Sequence, residues 1–354
     1  MSTIAVNAIT DASAGNTTSI NGVTPNANNL VGKNRIINGN MMIDQRNAGA
    51  SITPTAGVYA LDRWVASINV ASKFSLQQNA GSVTPPEGFS KYLGITSLSA
   101  YTLASGEFCT LTQYIEGSNV DDLNWGTSNA KAVTLSFWVR SSLTGTFGGA
   151  FNNSDSSRSY PFTYSISSAN TWEKKSITIA GDTTGTWLTT NGRGIVVRLG
   201  FGSGSTYSGT AGSWSGSTYF TATGATSVVA TSGATFYITG VQLEAGSSAT
   251  EFEHRQYGTE LQLCQRYYWR QFFSGSNVLY NRVYWSGAGN NAIFDFPAPS
   301  GMRINGATVT CTPTTNGSGA SFTYHPHGNI IIYRVSANGD NYFYSQDLAI
   351  SAEL

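Results

Sequence analysis

Charge is what this chain of 354 residues has least of: charged side chains make up 11% of it, against about 25% in ordinary soluble domains. The 19 Lys and Arg balance the 19 Asp and Glu, and nowhere do the basic residues cluster. That removes the electrostatic footprint on which nucleic-acid binding depends. No apolar run approaches the ~18 residues of a membrane span. The first residues, MSTIAVNAITDASAGN, show no basic stretch followed by an apolar core, so neither export by a signal peptide nor membrane insertion is expected.

Cysteine and histidine are scarce as well. Cys109, Cys264 and Cys311 are odd in number and far apart, which suits neither a disulfide framework nor a zinc site and leaves free, buried thiols as the expectation. Of His254, His325 and His327, the last two form an H-P-H pair, but it has no acidic or cysteine partner at ligand spacing. Only Asp340, brought in by folding, would complete a metal site there, and the pair reads instead as polar aromatics on a turn. Nucleophile elbows, phosphate loops and zinc motifs are missing. No cofactor and no metal are expected.

What the chain does have is glycine (39 residues), abundant Ser, Thr and Asn, and 12% aromatics, a composition suited to many short strands joined by tight turns. Its length exceeds what one core usually supports, so two folded units and an accessory segment are expected. Residues 1–33 hold only small aliphatics such as Ile4, Val6 and Ile9 among polar residues. Such a stretch buries too little to offset its own ordering and reads as an arm that docks onto a partner. From Asn34 the character changes: Ile36 and Ile37 read as a strand, Asn38-Gly39 as hairpin-turn chemistry, and Met41 to Ile43 as its continuation. In AVTLSFWVRSS, Val133, Leu135, Phe137 and Val139 fall on one face, and Trp138 and Arg140 on the other, as in a half-buried strand. Strands are likewise expected within 108–117, 158–166, 171–181, 194–204 and 235–246. In the fourth of these, Ile195, Val197, Leu199 and Phe201 point inward. Leu261, Cys264, Tyr267 and Tyr268 recur at helical spacing. Further strand patterns follow from residue 277 to the end. The expected fold is mainly β: an antiparallel β-sandwich over 34–257, a short connecting helix over 258–270 and a smaller C-terminal β domain over 271–354.

Two motifs add a resemblance. NRIINGNMMIDQRNAGAS at 34–51, with ALDRW at 60–64, resembles the start of the body in bacteriophage and prophage tail fibre proteins. ITGVQLEAGSSATEFEHRQYGTELQLCQRYY at 238–268 resembles the segment that closes it. Together they bracket about two thirds of the chain. FPAPSGMRINGATVT at 296–310 is similar to a phrase in fibre tips, and the order of TLSFWVRSS, TWEKKSITI and YITGVQLE resembles the jelly-roll of galactose-binding-like carbohydrate-binding modules. The resemblance implies a homotrimer in the virion, made in the host cytoplasm. Its arm, through Ile4, Val6 and Ile9, would attach to a tail, baseplate or adaptor protein, and its aromatic side chains would bind host surface polysaccharide.

Candidate glycan contacts are the outward-facing Trp138 and Arg140, then Tyr207, Trp214 and Tyr219 in the Gly/Ser/Thr-rich region 200–233, and Tyr324 and Tyr342 in the C-terminal unit. For Trp138 the alternative is packing under a neighbouring loop or at a subunit interface. For the 200–233 region it is a course tucked along its own sandwich or against a sister subunit. Two other functions stay open: a purely structural or decorating virion protein, and a polysaccharide depolymerase. The latter needs two carboxylates facing across a cleft, and nothing in the order of Asp121, Asp122, Glu173, Asp182, Glu251 and Glu253 pairs any two of them. No coil repeat of a β-helix is found, and no enzymatic activity is expected.

Overall fold

Side chains alternating with a period of two build two facing sheets. A computed structural model describes residues 32–272, 279–285, 291–297, 302–303, 308–315, 320–325, 329–335 and 339–354; beyond residue 270, side chains are described at 302, 303, 308, 310 and 349–354. One sheet runs in the order β1 (Val58–Leu61), β2 (Trp64–Ile68), β5 (Phe108–Glu116), β10 (Arg193–Ser203), β7 (Gly145–Asn152), β8 (Ser159–Ile166). The other runs β3 (Phe74–Gln78), β4 (Leu93–Ser97), β13 (Thr235–Ala245), β6 (Val133–Ser141), β9 (Glu173–Ile179). Every pairing within these two sheets is antiparallel. Val133, Leu135, Phe137 and Val139 of β6 face Ile195, Val197, Leu199 and Phe201 of β10 across one core. Rings meet between the sheets: Phe74 on Phe201 at 5.5 Å, Phe147 on Phe236 at 5.9 Å and Phe137 on Tyr164 at 5.0 Å. Each side chain buried this way contributes about 1.5–3 kcal/mol.

The motif that opens the body is not the strand its apolar residues suggest. Residues 33–47 hold no strand, because long-range side chains take up the backbone groups that a ladder would use. Asn34 Oδ1 accepts from the amides of Ile36 (2.9 Å) and Leu243 (3.1 Å), while its Nδ2 donates to the Val241 carbonyl at 3.2 Å. Gln113 spans the Ile37 peptide, accepting from its amide at 2.8 Å and donating to its carbonyl at 2.9 Å. Asn38 takes a left-handed φ of 58°, and its side chain bonds both backbone groups of Ile43 and the carbonyl of Asp62. Its own amide donates to Glu260.

The helix is also shorter than its apolar spacing suggests. It spans α1 (Tyr257–Gln265), and Tyr268 already belongs to β14 (Tyr268–Phe272), paired with Ser351 of β20 (Gly339–Ser351). Cys264 and Tyr267 pack on Ile37 and Ile43, so the helix buries its stripe on the opening motif of the same chain. The other strands after α1 are β15 (Leu279–Trp285), β16 (Asn291–Pro297), β17 (Thr308–Thr315), β18 (Ala320–His325) and β19 (Asn329–Val335). Strands β14, β15 and β17 pair with β20, while β19 lies between β16 and β18. Cys109 and Cys264 are free and buried; the side chain of Cys311 lies outside the described residues.

The chain end does not stay with the C-terminal unit. Glu353 pairs with Arg46 and with Arg63, which is 1% exposed and has the Tyr267 ring 3.6 Å from its guanidinium. Arg193 donates to the Leu354 carbonyl at 2.8 Å. Beside this joint, burial pushes the Asp62 carboxyl up to about 6, against the pull of Arg46 and the two donors of Gln45. A carboxyl raised in this way holds a proton in the folded chain that the unfolded chain releases. Stability is therefore expected to fall as pH rises from about 4 to above 6. Glu116 is also buried, but hydrogen bonds from Arg266 and Tyr267 prevail and hold it below the usual carboxylate range, so it acts only in more acid solution. Urea midpoints from pH 5 to 7 should decline in the native chain and stay level in Asp62→Asn; an equal decline in both would assign the slope to another group.

Candidate functional site

On the outer face of the five-stranded sheet, β13 breaks its own alternation. Phe236 and Ile238 point inward, and so do Val241 and Leu243, because the pairing with β6 slips between Thr239 and Gln242. Gly240 sits in the slip with a φ of +62°, and a Cβ there would lie 2.6 Å from Cζ of Phe89 and 3.1 Å from Cδ1 of Trp138. Only glycine combines that backbone with that clearance. Its bare backbone floors a cleft of about 230 Å³ lined by Phe89, Trp138, Phe252 and His254, with Glu87, Lys174 and Glu251 among its polar groups.

Two turns bring the aromatic wall to this place. In PPEGF the Phe89 amide bonds the Pro86 carbonyl at 3.1 Å, with Gly88 at a φ of +85°, which is the use of glycine in a tight turn. After β13 the chain folds back over the sheet, since the Glu253 amide donates to Gln242 Oε1 at 2.8 Å. Phe89, Phe252 and His254 then pack as a triangle, with ring centroids 5.1, 4.9 and 5.4 Å apart. Lys174 reaches Glu251 at 3.2 Å, and the Glu251 side chain is 94% exposed. An apolar floor rimmed by hydrogen-bonding groups suits a ligand with alternating C–H and O–H faces.

Of the side chains singled out in the sequence, Trp138 lines this cleft. Arg140 is on the same face but donates through Nε to the Asn170 carbonyl at 2.9 Å, with its guanidinium 5.4 Å from the Tyr237 ring. The 200–233 region follows its alternative course, lying along its own sandwich. There β11 (Ser208–Gly209) and β12 (Thr221–Ala222) pair in parallel, and Thr221 lies against Gly148 and Gly200 of the six-stranded sheet. Tyr207 stacks on Phe220 at 4.8 Å and 6°. Tyr219 packs over Gly209, and its carbonyl accepts from Asn152 Nδ2 at 3.0 Å. Trp214 wedges among Trp125, Trp187 and Tyr160 at 5.4, 5.4 and 5.2 Å, and its indole N–H donates to the Ala180 carbonyl. All three are half-buried, with at least one side of each ring or backbone engaged by the sandwich. Tyr324 and Tyr342 fall in β18 and β20, but their side chains lie outside the described residues, as do Ile4, Val6 and Ile9.

Phe89, Phe252, His254, Glu87 and Lys174 were not foreseen as neighbours of Trp138. The signal present was EFEH at 251–254, where acidic and aromatic residues alternate directly after the closing strand. Among the described residues no three His, Cys, Asp or Glu side chains converge on a metal position.

No protein-family model matches the chain, and no curated protein does. Solved structures that resemble it include the enzymatically active domain of tailspike protein 4 of Bacteriophage CBA120. That likeness has 12% identity, a TM-score of 0.32, and coverage of 60% of this chain but 21% of the tailspike chain. A putative sugar binding protein from Bacteroides thetaiotaomicron matches at 12% identity over 60% of this chain and 100% of its own, with a TM-score of 0.36. TmCBM61 in complex with β-1,4-galactotriose matches at 10% identity over 52% and 88%, with a TM-score of 0.27. At TM-scores of this size, the sandwich assignment rests on the strand pairings themselves.

Proposed function

We propose that this chain is a receptor-binding tail fibre protein of a bacteriophage, which holds a bacterial surface glycan in the cleft beside Trp138 and does not cut it. The observation that carries the glycan reading is the cleft: a tryptophan and a three-ring aromatic wall on either side of Gly240, rimmed by two carboxylates and an ammonium group. A pyranose would set its C–H face on a ring, and its hydroxyls would bond Glu87, Glu251 and Lys174. The tail-fibre part is supported by the resemblance of residues 34–51, 60–64 and 238–268. A single open site of this kind binds weakly. A homotrimer, anchored to a tail or adaptor protein through residues 1–33, would add avidity by presenting three sites at high effective concentration.

Glu87 and Glu251 share the cleft, and that is the observation in favour of hydrolysis. Glu251, however, stands in solvent without the apolar shielding that a general acid needs. Purified chain is to be incubated with surface polysaccharides from a panel of bacteria, recording retention and polymer mass. Retention with intact polymer is the expected result. Shortened polymer would move the function to a depolymerase, and no retention from any strain would favour a structural virion protein. Trp138→Ala is expected to weaken retention about tenfold, the equivalent of ~1.4 kcal/mol, with an unchanged thermal midpoint. Full retention by that variant would remove Trp138 from the site.

A further inference from the structure

The opposite face of the body carries a buried cation with no counter-charge among the described residues. Arg198 of β10 is 6% exposed. Its Nε donates to Asn152 Oδ1 at 3.0 Å, and its Nη1 lies 3.2 Å from Ser67 Oγ and 3.3 Å from Thr112 Oγ1. Its guanidinium carbon is 4.2 Å from the centre of the Phe220 ring. All these partners are neutral. Among the described residues no carboxylate pairs with Arg198, although Arg63, comparably buried, is paired with Glu353. Desolvating a guanidinium without an anion costs several kcal/mol. Burial accordingly lowers this group, to about 10, with Arg193 acting in the same direction and Tyr114 opposing. It is still charged at neutral pH.

Counting donors around it shows where an anion would bind. The Thr110 hydroxyl donates to the Ser67 carbonyl at 3.1 Å, so in its 3.1 Å contact with Thr112 the Thr112 hydroxyl is the donor. Ser67 Oγ accepts from Arg198, and its own hydrogen has no acceptor among the described residues. Arg198 Nη2 likewise has no partner among the described residues. Two donors, one of them cationic, are thus left over on β10 and β2, which reach each other across the intervening β5 with Nη1 of Arg198 3.2 Å from Ser67 Oγ. The half-buried Ser67 and the half-buried Tyr207, stacked on Phe220, carry this spot to the surface.

We propose that Arg198 and Ser67 form a second binding site, specific for an oxyanion: the carboxylate of an acidic sugar or a phosphate group. The site is separate from the cleft beside Trp138 and does not depend on it. An oxyanion placed there would receive a charge-assisted bond from Nη2 and a second from the Ser67 hydroxyl, supplying a counter-charge that no described residue provides.

The test uses the full chain, titrated by calorimetry and by thermal shift with inorganic phosphate, galacturonate and galactose at constant ionic strength set with sodium chloride. Phosphate or galacturonate is expected to bind and raise the thermal midpoint, while galactose at this site does neither. A response to galacturonate alone assigns the site to acidic sugars, and an equal response to phosphate assigns it to oxyanions in general. Arg198→Met should weaken anion binding at least tenfold without lowering the midpoint, since it removes an uncompensated charge. Ser67→Ala should weaken it severalfold and, touching no core contact, keeps the test decisive if Arg198→Met fails to fold. Trp138→Ala should leave anion binding unchanged, which separates this site from the cleft. No anion response beyond the chloride control, or an undiminished response in Ser67→Ala and Arg198→Met, would overturn the proposal.

Discussion

Glu353→Ala is expected to lower folding stability by about 3–5 kcal/mol, the cost of leaving a buried charge without its partner. Glu353 lies one residue from the end of the sequence, where substitutions usually matter little. Yet Arg63 is 1% exposed, in a left-handed conformation with a φ of 69°, and its counter-charge is Glu353. Its other partners, the Tyr114 carbonyl and the face of Tyr267, are neutral. Arg46 loses the same carboxylate. Replacing both members of the pair, Arg63→Met with Glu353→Leu, should recover most of the loss, because an apolar pair of similar volume avoids the desolvation of both ions. Denaturant midpoints of the single and double variants decide the matter. A single-variant loss under about 1 kcal/mol would mean that Tyr114 and Tyr267 suffice to hold the guanidinium.

Gly39→Ala is expected to cost about 3 kcal/mol, at the upper end for overpacking, and to lower the thermal midpoint by roughly 6–12 °C in a body of this size. A Cβ at Gly39 would overlap the carbonyl oxygen of Val241. Backbone cannot give way as the end of a flexible side chain does. The chain would have to back off, losing the bond from the Val241 amide to the Gly39 carbonyl at 2.9 Å and straining that from Arg35 to Leu243 at 2.8 Å. Val241 adjoins Gly240, so the same substitution should distort the cleft and weaken glycan retention as well. A thermal midpoint within 1 °C of the native chain would show that the opening motif is not seated as closely as its hydrogen bonds indicate.

The cleft shows how far a site can be read without its fold. Trp138 was visible because β6 alternates, and alternation alone assigns it to the outer face. Tyr207 and Trp214 looked equally suited, being aromatics in a polar loop, but the loop lies along the six-stranded sheet and its rings are used against Phe220, Trp125 and Trp187. Whether a loop ring faces solvent or its own sandwich depends on the course of the loop, which periodicity does not encode. Phe89 and Phe252 lie far apart in sequence and meet because both flank the slip at Gly240.

By itself the sequence determined the mainly antiparallel β architecture, the inward faces of β6 and β10, the strand windows after residue 277 and, among the described residues, the place of the α-helix. These follow from local periodicity and turn chemistry, which act over a few residues. Tertiary structure decided the rest. It turned Ile36 and Ile37 from a strand into a segment held by Asn34 and Gln113, ended the helix at Gln265 so that Tyr268 could pair with Ser351, brought Glu353 back to Arg63, and left Arg198 without a counter-ion among the described residues. Each of these outcomes depends on hydrogen bonds or charges between residues dozens to hundreds of positions apart, whose free energy exists only once the two sheets have closed.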